Sequence, residues 1–432
     1  MDALYLGVAR EIITPELGGQ LYGYRPDIFS ESVADDLTAT AFYFKQGNAV
    51  SLLISATVCA VSTEFSQRTL DTIEQQLGIP GENCILCATH THSGPNLSGG
   101  VGWGDVDTPY FETIFLPQVL SAAKRAMQAP VPVTMGVASG NSYVGINRRE
   151  LTLENKIILG QNEWGSFNPR MLVMSFRDEN GKNVANIIHY GAHCTAAGQC
   201  TQISRDWAGV MIDGLEAETG AMTAFVNGPE GDIGPRLSNG KTIGNMDLVR
   251  ELGAVAAQDA IRIYEQVAEY KTPQLQVCAN TCAAPLQPRM PLEEARAMYE
   301  KYKERTVNMS GRMKHIAQQV INAYEQGTPE ETEDSFLQTA IALDNVVLVA
   351  FPYELFSEIG LRIDKAFPEA EILPVINANG SKGYFITQDA ICRGGYEVNY
   401  FLYGAIQGYR EDADWYLLNN TVENIRPMIE KE

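Results

Sequence analysis

Five histidines occur in the 432 residues, and four of them form two close pairs, His90 with His92 and His189 with His193. Imidazoles bind transition metals and exchange protons near neutral pH, so such pairs point to a metal site or a general base. The run NCILCATHTH, Asn83 to His92, reads as a strand entering the glycine-rich loop SGPNLSGGVGWG. On a strand His90 and His92 face the same way, about 7 Å apart at their Cα atoms, so both reach one site at the strand's end. His189 and His193 stand in VANIIHYGAH, which also reads as a strand. Four strand residues put two side chains about 13 Å apart, too far for one ion. His193, nearer the strand's exit, is the functional candidate, and His189 is expected to be a buried, hydrogen-bonded structural residue. A histidine pair can also simply satisfy loop ends by hydrogen bonding.

Three further signals carry chemistry. Cys84 and Cys87 form a CxxC, but residues i and i+3 of a strand face opposite sides, so core packing is expected rather than zinc or redox work. FVNGPEGDIGPR, Phe225 to Arg236, is a strand followed by a glycine-dense loop with Glu230 and Asp232, either a plain turn or the wall of a site. YFITQDAICRGGYE sets Tyr384 and Tyr396 twelve residues apart around a glycine-containing loop.

The elements that must position these residues read as an α/β fold of mixed β-sheets flanked by helices. Asn48 to Cys59 is a buried strand, followed by a helix with Phe65, Leu70, Ile73 and Leu77 on one face and Gly78 and Pro80 as stop signals. Phe111 to Ala129 reads as a helix broken or kinked at Pro117, and Trp207 to Gly220 and Met246 to Ala268 read as helices. A polar helical insertion near 290–327 divides at Gly311 into two helices, a solvated face or a lid. Phe336 to Pro352 is a hairpin turning at Asp344-Asn345, a helix follows at Leu355 to Phe367, and 411–432 is a helical tail. With no repeat and no linker, residues 1–432 read as one domain.

Composition narrows the partners. The chain is 45% hydrophobic, and 32 basic against 53 acidic residues leave a net charge of −21, which repels phosphate backbones and excludes a nucleic-acid groove. No apolar run nears the ~18 residues of a membrane span, the N-terminus lacks a secretory pattern, and eight cysteines are too sparse for a disulfide framework. A cytoplasmic protein with a small-molecule substrate and no stable membrane association is the expectation.

Taken in order, GVAREIITP, GYRP, ATHTHSGP, GINRRE, IIHYGAHC, ISRDWAG, FVNGPEGDIGP, FPYELFSEIG and GYFITQ through RGGYE resemble the catalytic domain of the neutral, non-lysosomal ceramidase family. The resemblance implies one Zn²⁺ held by His90, His193, Glu354 and Tyr384, with His92 handling protons and Arg148 and Tyr396 donating to the oxyanion or anchoring the substrate. Read without it, Arg148 is a surface arginine and Tyr396 a core tyrosine with a satisfied hydroxyl. Where the family carries a serine this chain has Gly234, so zinc-bound water becomes the expected nucleophile, with Asp232 or Glu230 orienting it. The family's C-terminal immunoglobulin-like domain is expected to be absent. The resulting expectation is a zinc-dependent hydrolase cleaving an amide or related bond of a soluble substrate, in a pocket without a deep acyl channel. The alternatives are a true ceramidase, an N-acylsphingosine amidohydrolase, or a binding protein that has lost its nucleophile.

Overall fold

Strands buried on both faces need cover on both, and the sequence supplies it by alternation. In Thr38–Gln46, Ala39, Ala41 and Tyr43 enter one hydrophobic cluster while Phe42 and Phe44 enter another. The computed structural model describes residues 2–430 apart from 101, 306 and 307. One glycine-loop position, two residues of the insertion and the end of the 411–432 tail therefore lie outside the described residues.

The larger sheet runs Met222–Asn227, Asn183–Tyr190, Arg170–Arg177, Val131–Asn141, Leu4–Ile12, Thr38–Gln46, Ala49–Ala56, Cys84–Ala88. Its neighbours are antiparallel except at the two edges, where Asn183–Tyr190 pairs with Met222–Asn227 and Ala49–Ala56 with Cys84–Ala88 in parallel. Parallel neighbours need a crossover, and each has a helix, Asp206–Thr219 in the first case and Thr63–Leu77 in the second. A smaller sheet runs Leu275–Pro285, Glu333–Leu343, Val346–Ala350, Glu371–Val375, and its last pair is again parallel, crossed by the helix Ser357–Lys365.

The two sheets share one core, in which Phe42, Phe44 and Phe176 meet Leu343, Leu348 and Val375. Each fully buried phenylalanine there is worth about 2–3 kcal/mol of transfer free energy. Helices cover the outer faces. Thr63–Leu77 and Leu116–Gln128 pack on one half of the larger sheet, Asp206–Thr219 and Met246–Tyr264 on the other, and Ser357–Lys365 with Ala413–Ile429 on the smaller sheet. The layers thus match the expected mixed α/β architecture.

Four local expectations are corrected. The strands through the two histidine pairs stop at Ala88 and Tyr190, before His90, His92 and His193. At Pro117 the helix does not break. Because proline has no N–H to offer the preceding turn, Phe111–Phe115 widens to a π-helical turn, with Leu116 N–H donating to the Phe111 carbonyl. Gly311 lies inside the helix Asn308–Gln326, where burial of Ile316, Ala317 and Val320 outweighs the ~1 kcal/mol glycine penalty; the break comes at Lys303 and Glu304. Leu355 belongs to a two-residue strand, so the next helix begins at Ser357.

Candidate metal centre

The three parallel pairs of the two main sheets point their strands' C-terminal ends at one place, where open α/β sheets present ligand-binding loops. His90 follows Cys84–Ala88, His193 follows Asn183–Tyr190, Glu230 follows Met222–Asn227, and Glu354 follows Val346–Ala350. Metal-ligating atoms of these four residues lie within 4.8 Å of one another, and all four side chains are buried.

His90 reaches this place through a left-handed backbone, φ 69°, a conformation that costs a non-glycine residue about 1–3 kcal/mol and persists only where its surroundings impose it. Here the His90 N–H donates to the Val58 carbonyl at 2.9 Å, and its Nδ1–H to the Cys59 carbonyl at 2.8 Å. His193 is held alike, with Nδ1 2.9 Å from the Glu230 carbonyl and 3.0 Å from that of Ile233. Since Nδ1 carries the proton in both rings, each Nε2 presents a lone pair to the centre. Asn227 ties the two histidine loops together, its side-chain amide donating to the carbonyls of Thr89 and Ala192. The ISRDWAG motif braces the same region. Asp206 accepts from the N–H groups of Ala196 and Ala197, and the Trp207 indole donates to the His193 carbonyl at 2.9 Å.

His90 Nε2 lies 3.5 Å from Glu354 Oε2 and 4.0 Å from Glu230 Oε1, and His193 Nε2 lies 3.2 Å from Glu354 Oε2. A tetrahedral ion bonded at 2.0–2.2 Å keeps its ligand atoms roughly 3.3–3.6 Å apart, so the two separations from Glu354 suit one, and Glu230 stands a little wider. His193 Nε2, Glu354 Oε2 and both oxygens of Glu230 are buried without a hydrogen-bond partner. Buried acceptors facing one another with no donor between them are costly unless a cation joins them. The donor set of imidazole and carboxylate therefore fits a divalent transition metal. Burial, with Arg148 nearby, depresses the His193 pKa to about 3, so its imidazole is neutral at pH 7.

His92 stands beside this group, Nε2 3.2 Å from His90 Nε2 and Nδ1 without a partner. The GYRP motif wraps it. Tyr24 meets its ring edge-on at 5.0 Å, and Gly23, at φ 124°, lies so close that a Cβ would stand 2.4 Å from His92 Nδ1. Burial and then the neighbouring His90 and His193 hold the His92 pKa well below its ordinary value.

The opposite wall comes from the smaller sheet and the segment after it. Glu354 and Tyr384 are register partners in a parallel two-strand pair. Arg148, buried, donates from Nη2 to Tyr384 Oη at 3.0 Å and from Nε to Glu397 Oε1 at 3.0 Å; Arg149 takes the other Glu397 oxygen at 2.5 Å. Burial and Glu354 push the Tyr384 phenol well above its usual range, with Arg148 opposing them. Tyr396 packs edge-on to Tyr384, ring centroids 5.7 Å apart.

The structure thus brings together His90, His92, His193, Glu354, Tyr384 and Tyr396, with Arg148 behind Tyr384. Asp232 is turned away. Its Oδ1 accepts from Ser357 N–H at 2.7 Å and its Oδ2 from the Asn147 amide at 3.0 Å. His189 is likewise engaged elsewhere, Nε2 donating to the Pro374 carbonyl at 2.9 Å. A side chain at position 234 would meet Thr242, since a Cβ there stands 2.6 Å from Thr242 Cγ2, so Gly234 is bound up with Thr242's packing. Glu397, whose two oxygens hold both arginines of GINRRE, was not singled out in the sequence, although its place beside Tyr396 in RGGYE offered a signal.

A cavity of about 640 Å³ opens onto the centre, lined by His90, His92, Glu354, Tyr384 and Tyr396. Its outer walls mix aromatic side chains such as Trp103 and Tyr400 with Arg312, Lys382 and Asp334, and Leu286 and Ile406 are its only leucine and isoleucine among the described residues.

No protein-family model matches the chain. Neutral ceramidase of Pseudomonas aeruginosa is 26% identical over 202 residues, a match spanning 43% of this chain and only 30% of that protein. The crystal structure of neutral ceramidase from Pseudomonas aeruginosa superposes with a TM-score of 0.78 at 18% identity, covering 100% of this chain and 76% of that one. A ceramidase complexed with C2 gives 0.76 at 17% identity with the same coverage. The chain has the neutral-ceramidase fold.

Proposed function

We propose that this chain is a zinc-dependent hydrolase that cleaves an amide or related bond of a polar small molecule, with His90, His193, Glu354 and Tyr384 holding the ion. The observation that carries the reading is the set of buried, partnerless acceptor atoms on His193, Glu354 and Glu230. Arg148 at the Tyr384 oxygen favours the phenolate that ligation needs. When bound, a divalent ion supplies Lewis acidity to a carbonyl oxygen and makes water a stronger acid.

The remaining work belongs to side chains of the cavity. His92, neutral at pH 7, accepts a proton from the attacking water at a ring nitrogen and returns it to the leaving amine. Tyr396 presents a hydroxyl beside Tyr384 to the carbonyl oxygen as charge develops on it. Arg148, held by Glu397 behind Tyr384, is a positioning residue rather than one that meets the substrate. Gly234 contributes no hydroxyl, so water is the nucleophile in this reading.

The charged outer wall supports a polar substrate. Arg312 bonds the Gly404 carbonyl and stacks over Tyr400, while Lys382 pairs with Asp334. An N-acyl lipid is the second reading, favoured by the ceramidase likeness and the aromatic part of the wall. All eight cysteines are free thiols, which supports a cytoplasmic setting. Among the described residues no helix is long and apolar enough to cross a membrane.

The test is to measure bound metal in the natively purified protein and to assay N-acylated amino acids, N-acetylated sugars and N-acylsphingosine with and without chelator. Stoichiometric zinc and chelator-sensitive hydrolysis of a polar amide are expected. Preference for N-acylsphingosine would establish the second reading, metal-loaded protein without turnover would mean a binding protein, and metal-free protein with chelator-resistant activity would remove the proposal.

A further inference from the structure

Glu230 is the buried carboxylate that the resemblance assigns no ligand role. Its side chain is 0% exposed and neither oxygen has a hydrogen bond. The nearest guanidinium, that of Arg148, is already committed to Glu397 and Tyr384. The approach that brings Glu230 to the centre is built into the backbone. Gly231 N–H donates to the Leu355 carbonyl at 2.7 Å, and a Cβ on Gly231 would stand 2.5 Å from the Glu354 carbonyl oxygen, so only glycine lets this loop lie against the strand bearing Glu354. The Glu230 carbonyl accepts from His193 Nδ1 and aims that ring's Nε2 inward.

We infer that Glu230 binds the metal ion directly, as a second carboxylate ligand beside Glu354, on the side of the centre where the related family is not expected to place one. This rests on the metal-centre reading above. Two carboxylates also make the centre harder, so it should accept manganese or iron more readily than a site with one.

Glu230→Gln keeps the backbone carbonyl that orients His193 and removes only the charge, so it separates ligation from positioning. Zinc affinity is measured by competition with a chromophoric chelator on the full chain, for wild type, Glu230→Gln, Glu230→Asp and His193→Ala. Glu230→Gln should weaken zinc by more than the ten- to hundred-fold that loss of an orienting residue costs, with Glu230→Asp in between. Wild-type affinity in Glu230→Gln alongside lost binding in His193→Ala overturns the ligand assignment and leaves the metal centre standing. Failure of wild type itself to bind a divalent ion overturns both. Should Glu230→Gln not fold, the affinity of Glu230→Asp decides, an unchanged value counting against ligation.

Discussion

His189 and His193 lie four residues apart on one segment and Asp232 and Glu230 two apart on another, yet each pair divides between two environments. On the side facing Ser357, His189 donates to Pro374 and Asp232 accepts from Ser357 and Asn147. On the side facing the sheets' converging ends, His193 Nε2 and both Glu230 oxygens find no partner. Each side has one buried imidazole and one buried carboxylate. What separates the two sides is whether the protein itself satisfies their polar atoms.

The sharpest way to break this comparison is to remove one histidine at a time. His193→Ala should abolish stoichiometric zinc and the rise in melting temperature that zinc produces, whereas His189→Ala should keep both, as read by metal analysis and calorimetry. Loss of zinc in His189→Ala would mean that satisfied and unsatisfied histidines do not differ in the way described. Next in size, His92→Ala should lower kcat by about 10²–10⁴-fold on any substrate found, with zinc content unchanged. A fall in zinc content would make His92 a ligand.

Smaller effects sharpen the satisfied side. Burial depresses the His189 pKa to about 4, against about 6.5 in an unfolded chain. Between those values the unfolded chain binds the extra proton, so stability present above pH 6.5 is lost as the pH falls toward 4, by about 3 kcal/mol in full. Denaturant titrations in chelator should show that slope flattened in His189→Gln. Smallest of all, Asp232→Ala strands the Ser357 N–H and the Asn147 amide and should cost about 1–3 kcal/mol of stability without changing zinc stoichiometry.

The fold class was legible because buried strands alternate with amphipathic helices, and the hairpin at Asp344-Asn345 because a turn pair interrupts two apolar runs. The clustering singled out His90 and His193, which the structure brings together, but the route by which they meet was not legible. A strand reading set His90 and His92 on one face, while the chain bends at a left-handed His90 that its residue type does not announce. Glu230 and Asp232 could not be ranked, because two carboxylates in a glycine loop look alike until Gly231 is seen against Glu354. The Gly311 reading failed for the opposite reason, since tertiary burial along Asn308–Gln326 overrides a local preference.

The convergence of three crossovers on one point also bears on how the chain matures. On the proposed centre, a nascent chain that has completed the larger sheet owns both imidazoles and Glu230, but Glu354 arrives only with the smaller sheet. Tight capture of the ion must then wait until the two halves have docked. Zinc starvation would accordingly leave assembled but unloaded molecules rather than arrest synthesis partway, and late addition of the metal should rescue them without refolding.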